Sequence, residues 1–529
     1  MTRFLTLALC TVLPQLIFTQ IINFVEISGG VTNFPEEFAR YDYFSDDTVN
    51  FGDFDGDGIE DLLVTAPSYE HPDLPDYLGG IWLLLLDEDR DVKQSFRLHE
   101  QLREISPVSF SWSFIQRETI EVAGIGDLNN DGVRDMAVLF NNYESASENP
   151  SGAIVLTYLD SEAEIIDYDI IENGPVANAT PGRFGVDLAN VGDINGDGFA
   201  DLAASFQIND GIAGNESSRD NQLQLYFLNP DPDQISIQRI VNEFAGGTWG
   251  EWGFGYSIAA AGDINKDGTP DLAVGCPHCQ LDEAAGVGYN GGSISLLFMS
   301  PEGEVIGHQN INTAQGNFSG ELDSGDPHFG ESIVSLGDLD QDNSTYLAVG
   351  GSWDNLQGNV HLGTLWMLKL TNSGQVGAHY VISALEGNFP FIDAQEHDHI
   401  FEHLAVLNDI DGDGNPEIVA GTNRFNDRGS LIICNGNWGE LSTAVDNRGE
   451  ATELLIYPNP TDASLRIEAN NTIQSLVLFN FFGQQLGVYP GSVDKDMDLD
   501  TSILPNGAYW LEVILVDGTL IGRKFLVQR

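Results

Sequence analysis

Basic residues are scarce: 21 Lys and Arg stand against 81 Asp and Glu over 529 residues, a formal net charge of −60 at pH 7. That scarcity excludes any sizeable contact with DNA or RNA, since phosphate binding needs clustered Lys and Arg. It excludes an anionic membrane surface on the same ground. Long apolar runs are missing past the N-terminus, where 81–86 (IWLLLL) is only of strand length, so no transmembrane span is expected. Catalytic signatures are missing too: there is no GxSxG elbow, HExxH helix, P-loop or GxGxxG after a strand, and no catalytic residue is predicted. What is abundant is glycine, 58 residues, with 42% hydrophobic and 10% aromatic residues. That composition describes a folded chain in which turns join buried strands, long enough for more than one domain.

Residues 1–19 (MTRFLTLALCTVLPQLIFT) have the charged start, short apolar stretch and polar exit of a secretory signal peptide. Leu9 before Cys10 argues against a lipoprotein site. Its removal leaves Cys276, Cys279 and Cys434. The CPHC run at 276–279 has the spacing of a redox pair, but no helical pattern follows it. A local disulfide or idle thiols is therefore the favoured reading.

A repeat dominates residues 44–434. Six segments align, GDFDGDGIEDLLV at 52, GDLNNDGVRDMAV at 126, GDINGDGFADLAA at 192, GDINKDGTPDLAV at 262, GDLDQDNSTYLAV at 337 and NDIDGDGNPEIVA at 408, with first acids 66 to 75 residues apart. Oxygen ligands for a hard cation fall at positions 1, 3, 5 and 9, with position 7 offering its carbonyl and Gly at position 6 permitting the bend. The predicted ligands are Asp53, Asp55, Asp57, Ile59 and Asp61 in the first unit, and Asp127, Asn129, Asp131, Val133 and Asp135 in the second. The third and fourth give Asp193, Asn195, Asp197, Phe199, Asp201 and Asp263, Asn265, Asp267, Thr269, Asp271. The sixth gives Asp409, Asp411, Asp413, Asn415 and Glu417. Calcium at about five sites is the predicted cofactor, Mg²⁺ resisting an all-protein cage. The fifth loop keeps Asp338, Asp340 and Asp342 but has Asn343 for Gly and Tyr346 for the last acid, so weak or no binding is expected there. Position 12 is Val64 rather than Glu, which separates these loops from EF-hands.

Around each loop the pattern reads as four short strands. An aromatic stands nine positions before the first acid in four units (Phe44, Phe184, Phe254, Phe329), and third strands such as GGSISLLFM and fourth strands such as QISIQRI follow. Four strands per unit of about 70 residues predict β-propeller blades. The sixth unit stops after its third strand, and 22–28 (INFVEIS) reads as the orphan strand that completes it and closes the ring. Six blades fit the count, with seven as the alternative. These units resemble FG-GAP repeats, the blades of the integrin α-subunit propeller, over roughly residues 21–440. The resemblance implies calcium on one face and more often seven blades. The Phe-Gly pair is missing from the second and sixth units.

The connector 439–453 leads into a different pattern. LLIYPNPTDASLRIEA, SLVLFNFFGQQL and GAYWLEVILVDGTLIGRKFLV read as a small antiparallel β-sandwich over 454–529. The YPNP entry, the Phe-Gly-Gln turn at 482–484 and the closing Lys-Phe-Leu-Val resemble the C-terminal sorting domain of the type IX secretion system. That resemblance implies a Bacteroidetes-type bacterium, engagement of the secretion machinery, and a secreted or surface-attached product. The expected chain is thus all-β: signal peptide 1–19, propeller 20–438, linker and sandwich.

Two functions compete. The favoured one is a monomeric, non-catalytic adhesion or binding module for a glycan or extracellular protein, recognised by loops opposite the calcium face. The alternative is an extracellular polysaccharide lyase or hydrolase. Trp249 and Trp252 form the aromatic patch to watch, with core packing at a blade junction as its plainer reading. His397, His399 and His403, in HDHIFEH, offer a transition-metal or acid/base cluster, or ordinary loop histidines. His328 in the matching loop of the fifth unit leans toward the ordinary.

Overall fold

The computed structural model describes residues 21–527 apart from connecting segments, chiefly 71–77, 106–119, 141–151, 173–179, 210–218, 241–252, 280–290, 354–361, 384–397, 423–428 and 439–453, and some shorter turns. The expected signal peptide, the linker, Trp249, Trp252 and His397 lie outside the described residues.

Glycine-bounded apolar runs become strands, and among the described residues six four-stranded antiparallel sheets occupy 21–436. The first sheet runs Thr48–Gly52, Asp61–Glu70, Leu78–Leu86, Val92–Arg97, each strand bonded to the next. The following sheets repeat this order from first strands Ile120–Gly126, Thr180–Gly192, Ile258–Gly262 and Ser332–Gly337. The sixth holds His403–Leu407, Glu417–Thr422 and Ser430–Gly436, and its fourth strand is Ile21–Ile27 from the N-terminus. That strand pairs antiparallel with Ser430–Gly436, Phe24 opposite Cys434 and Ile27 opposite Leu431. The closure expected from the orphan strand is present, and it removes an exposed edge from the last sheet.

Successive first strands lie side by side in cyclic order, the sixth returning to the first. Side chains tie this inner ring together. The Asn50 amide donates to the Val406 carbonyl at 2.9 Å across the first–sixth junction, and Asn190 donates to Gly124 at 2.7 Å across the third–second junction. Second strands are flanked by neighbours on both faces, and Asp135–Phe140 and Glu417–Thr422 are wholly buried. Fourth strands are half exposed, as in Ile165–Glu172. The apolar layers lie between sheets: Val64 and Trp82 of the first pack with Val419 and Ile433 of the sixth. Trp82 is fully buried, with Phe38, Tyr69 and His99 set edge-on to it at 5.0 to 5.4 Å. Each such side chain contributes about 1.5–3 kcal/mol by leaving water.

The Phe-Gly pairs mark where the chain enters a first strand. Phe254 and Phe329 are fully buried, and Gly255 and Gly330 after them take φ +85° and +88°. The first and sixth units make the same turn without glycine, through Ser45 (φ 76°) after Phe44 and Phe401 (φ 72°) after Ile400. The repeat therefore persists in the backbone where the sequence motif has lapsed.

One helix, Leu98–Ile105, departs from the all-strand expectation. Leu98 and Leu102, one turn apart, form its apolar stripe and are buried between the first two sheets. Beyond the connector, Leu454–Tyr457, Ser464–Ala469 and Asp496–Asp500 form one sheet, and Gln485–Pro490, Ile473–Asn480, Gly507–Leu515 and Leu520–Val527 another. Leu465, Ile467 and Leu499 of the first sheet meet Leu476, Leu511 and Val513 of the second in a shared core, which is the sandwich expected from the alternation.

Candidate functional site

The six first strands end in two chemically different places. At their C-terminal ends lie the acidic loops that lead into the second strands. A left-handed glycine precedes the first acid in five units, Gly52, Gly126, Gly192, Gly262 and Gly337, all at φ 69–81°. The first acid then folds the loop back on itself by accepting the backbone N–H of position 6, from Gly58, Gly132, Gly198, Gly268, Asn343 and Gly414 at 2.8 to 3.0 Å. Position 5 accepts the N–H of position 7 in every unit, for instance Asp57 from Ile59 at 2.8 Å. The result gathers carboxylates: oxygens of Asp53, Asp55 and Asp57 lie within 4.8 Å of one another, as do those of Asp338, Asp340 and Asp342 and of Asp409, Asp411 and Glu417. In the second, third and fourth units Asn takes position 3, and Asn129, Asn195 and Asn265 donate to Asp131, Asp197 and Asp267 at 2.8 to 3.0 Å.

Position 9 does something the sequence did not show. Asp61, Asp135, Asp201 and Asp271 are fully buried. Each accepts one backbone N–H from loop position 2 and another from the end of the third strand, Asp61 from Phe54 and Leu86 at 2.9 Å. Burial pushes these four carboxyls up to about 6, and Glu417 to about 7, with the backbone donors pulling back. The side-chain donors are hard oxygens without His or Cys, and buried acids beside them are short of positive charge. Such a set fits a hard cation rather than a soft one.

At the N-terminal ends of the same strands a cavity of about 760 Å³ opens, lined by residues of all six units. Six positions before each first acid a residue turns toward the neighbouring sheet or this space: Asp47, Glu121, Asp187, Ser257, Ser332 and His403. Four of them fasten the next unit. Asp47 accepts the Val122 N–H at 2.8 Å, Asp187 accepts that of Ile258, and Ser257 and Ser332 donate to the carbonyls of Gly330 and Phe401 at 2.9 and 2.8 Å. Burial pushes the Asp47 carboxyl up to about 6, against the Val122 N–H and the charge of His403. Asp187 is raised well above its ordinary range by burial and by the charge of Asp47. Burial alone would raise Glu331, but the hydrogen bond and charge of His328, at 3.0 Å, together with the Ser352 hydroxyl, outweigh it and hold that carboxylate low.

An aromatic wall borders the cavity. His278 meets His328 edge-on at 4.3 Å, His328 stacks on Trp353 at 4.9 Å, and Trp353 leans on His399 at 5.0 Å. Trp353 is 38% exposed. His278 sits inside the Cys276–Cys279 disulfide, so the CPHC run is a closed loop presenting a ring. His399 and His403 both line the cavity, brought together with His328 from the preceding unit. Six carboxylate residues line it, Asp46, Asp47, Glu121, Asp187, Glu331 and Glu402, and among the described residues no Lys or Arg does. Sequence reading singled out His328, His399 and His403 but passed over Asp47, Asp187, Glu331 and Trp353. For two of them the signal was available: aligned on the loops, the column that holds Asp47 and Asp187 is polar in every unit.

Comparison with known proteins follows this division of the chain. Residues 47–84 and 254–297 match the FG-GAP repeat, and residues 455–528 match the secretion system C-terminal sorting domain. Integrin alpha-3 of Cricetulus griseus is 26% identical over 215 residues, 40% of this chain and 18% of that one. Integrin alpha-8 of Mus musculus is 32% identical over 158 residues, 28% and 14% of the two chains. Integrin alpha-6 of Homo sapiens is 29% identical over 219 residues, 39% and 16%. This chain thus spans under a fifth of these relatives' own length. Among solved structures, CopC from Methylosinus trichosporium OB3b aligns over 14% of this chain and 94% of that chain at 17% identity, with a TM-score of 0.12 that carries no argument.

Proposed function

We propose that this chain, an FG-GAP-repeat β-propeller bearing a C-terminal type IX sorting domain, is a non-catalytic binding module displayed outside the cell. The sorting domain marks the chain for secretion and surface attachment through the secretion machinery, and no helix of the described residues is long and apolar enough to cross a membrane. The propeller has six blades and acts as a monomer. Calcium fills the five loops whose position 6 is glycine and position 9 an acid, with Asp53, Asp55, Asp57 and Asp61, and their counterparts, as side-chain ligands. A bound divalent ion supplies the positive charge the buried acids lack and stiffens one face of the ring.

The ligand is a glycan, taken at the opposite face. The cavity between Trp353 and the acidic column carries this reading: an exposed indole offers a stacking surface to a sugar ring, and carboxylates accept its hydroxyls. Its six lining carboxylates disfavour uronate and sulfate polymers and suit neutral chains. Retention of the purified chain on neutral polysaccharide columns, lost in Trp353→Ala, tests this. Equal retention by that variant refutes the site.

One observation favours the enzymatic alternative, a polysaccharide-cleaving activity. Asp47, buried, and Asp187, half-buried, are two carboxyls beside one cavity, both pushed toward the protonated form. Their bonds to the backbone of the next sheet account for the same burial as structural clamping, so binding is preferred. Release of oligosaccharides in the same panel, abolished by Asp187→Asn, would reverse that preference.

A further inference from the structure

We infer that the fifth acidic loop carries its own cation: the Lys369 ammonium stands where the other loops take a metal ion, and this blade is built to hold its shape without one. The loop has the same backbone closure as its counterparts. The Asn343 N–H donates to Asp338 at 2.9 Å and the Ser344 N–H to Asp342 at 2.9 Å. Its three carboxylates converge as they do in the first unit. What differs is where the charge that meets them comes from, and what stands at positions 6 and 9. Lys369 Nζ bonds to Asp340 and, at 2.6 Å, to Asp342.

Strand register shows that this lysine and the missing acid belong together. In the first four units the acid at position 9 bonds to the N–H of the residue ending the third strand, Leu86, Leu159, Leu228 and Met299. The residue just before that one is Leu85, Tyr158, Phe227 or Phe298, with no charge in any of the four. The same register in the fifth unit holds Lys369, directly opposite Tyr346 at position 9. Tyr346 is fully buried, donates its hydroxyl to Asp340 at 3.0 Å, and presents its ring 5.3 Å from the ammonium. An acid and an apolar residue have been exchanged for a phenol and an amine, leaving the loop closed and its charge partly neutralised. Asn343 completes the substitution, holding φ 68° where the other loops have glycine at 94–98°.

The first unit supplies the contrast. Lys93 also bonds to Asp55 and Asp57, but it comes from the fourth strand, and Gly58 and Asp61 remain in place. That loop keeps its whole ligand set, and a metal need only displace one half-exposed side chain. In the fifth, removing Lys369 still leaves Tyr346 where a ligand should be.

The inference rests on the reading that intact loops hold calcium, and its tests separate the two. Native mass spectrometry of the full chain with calcium alone should give the same ion count for wild type and Asp338→Asn, and one ion fewer for Asp263→Asn. Loss of an ion in Asp338→Asn overturns the proposal for the fifth loop while leaving the general reading intact. An absence of ions from wild type would remove the general reading, and the second measurement would then decide. In chelator, Lys369→Met should lower the melting temperature by about 2–4 °C, since three carboxylates lose their counter-charge. An unchanged melting temperature in chelator would show that the ammonium does not stabilise the loop, and would overturn the proposal.

Discussion

Glycines in the acidic loops and glycines at the start of the third strands do different jobs, and the two faces are built differently. At the loop end, Gly58, Gly198 and Gly268 have φ near 96–98° and open space where a Cβ would be. They are there for conformation, so that a short acidic loop can wrap. At the cavity end, Gly292, Gly363 and Gly429 would place a Cβ 1.9 to 2.2 Å from the carbonyls of Phe329, Ile400 and Phe44. These are there for packing, so that one sheet's entry turn can press on its neighbour. One face is an open set of carboxylate loops. The other is a tightly seamed rim around a cavity.

The largest effect should come from emptying the loops. If five calcium ions bind the folded state alone, each contributes about 2.7 kcal/mol at a concentration 100 times its Kd, and chelation should lower the calorimetric melting temperature by on the order of 10 °C. The cavity rim should be indifferent to chelation but sensitive to bulk. Gly292→Ala should cost about 3 kcal/mol from clash and left-handed strain, against about 1 kcal/mol for Gly58→Ala, read by denaturant unfolding in chelator. A smaller effect separates the faces by pH. Asp47 has a folded pKa of about 6 against an ordinary 3.8, so the stability its protonated form contributes is complete below pH 3.8 and is lost as pH rises through 6. Asp47→Asn keeps an oxygen for the Val122 N–H. The variant should therefore gain on wild type between those values, by on the order of 2 kcal/mol at pH 7. Trp353→Ala should change stability least, within about 0.5 kcal/mol for a part-exposed ring, while abolishing glycan retention.

The same contrast explains what could be read from the chain. The loops were legible because their chemistry is local: ligands and bend fall within nine residues, and six copies in register make the pattern hard to mistake. Strand Ile21–Ile27 was legible because a repeat with one strand missing demands a strand elsewhere. The cavity was not, because Asp47, Asp187 and the pair Glu331 and Trp353 come from three separate units and meet only once the ring closes. His278 was hidden for another reason, since CPHC drew attention to its sulfurs rather than to the ring between them. Helix Leu98–Ile105 follows a fourth strand and belongs to no repeated element, so the strand pattern says nothing of it, although Leu98 and Leu102 are spaced for a helix. The role of the position 9 acids was only half visible: their identity repeats, but their double grip on backbone N–H groups depends on where the third strand ends.

Calcium titration of the full-length chain by isothermal calorimetry, after exhaustive chelation, tests the central claim most directly. About five ions should bind per chain, one for each loop with glycine at position 6 and an acid at position 9. Fewer than four would contradict it.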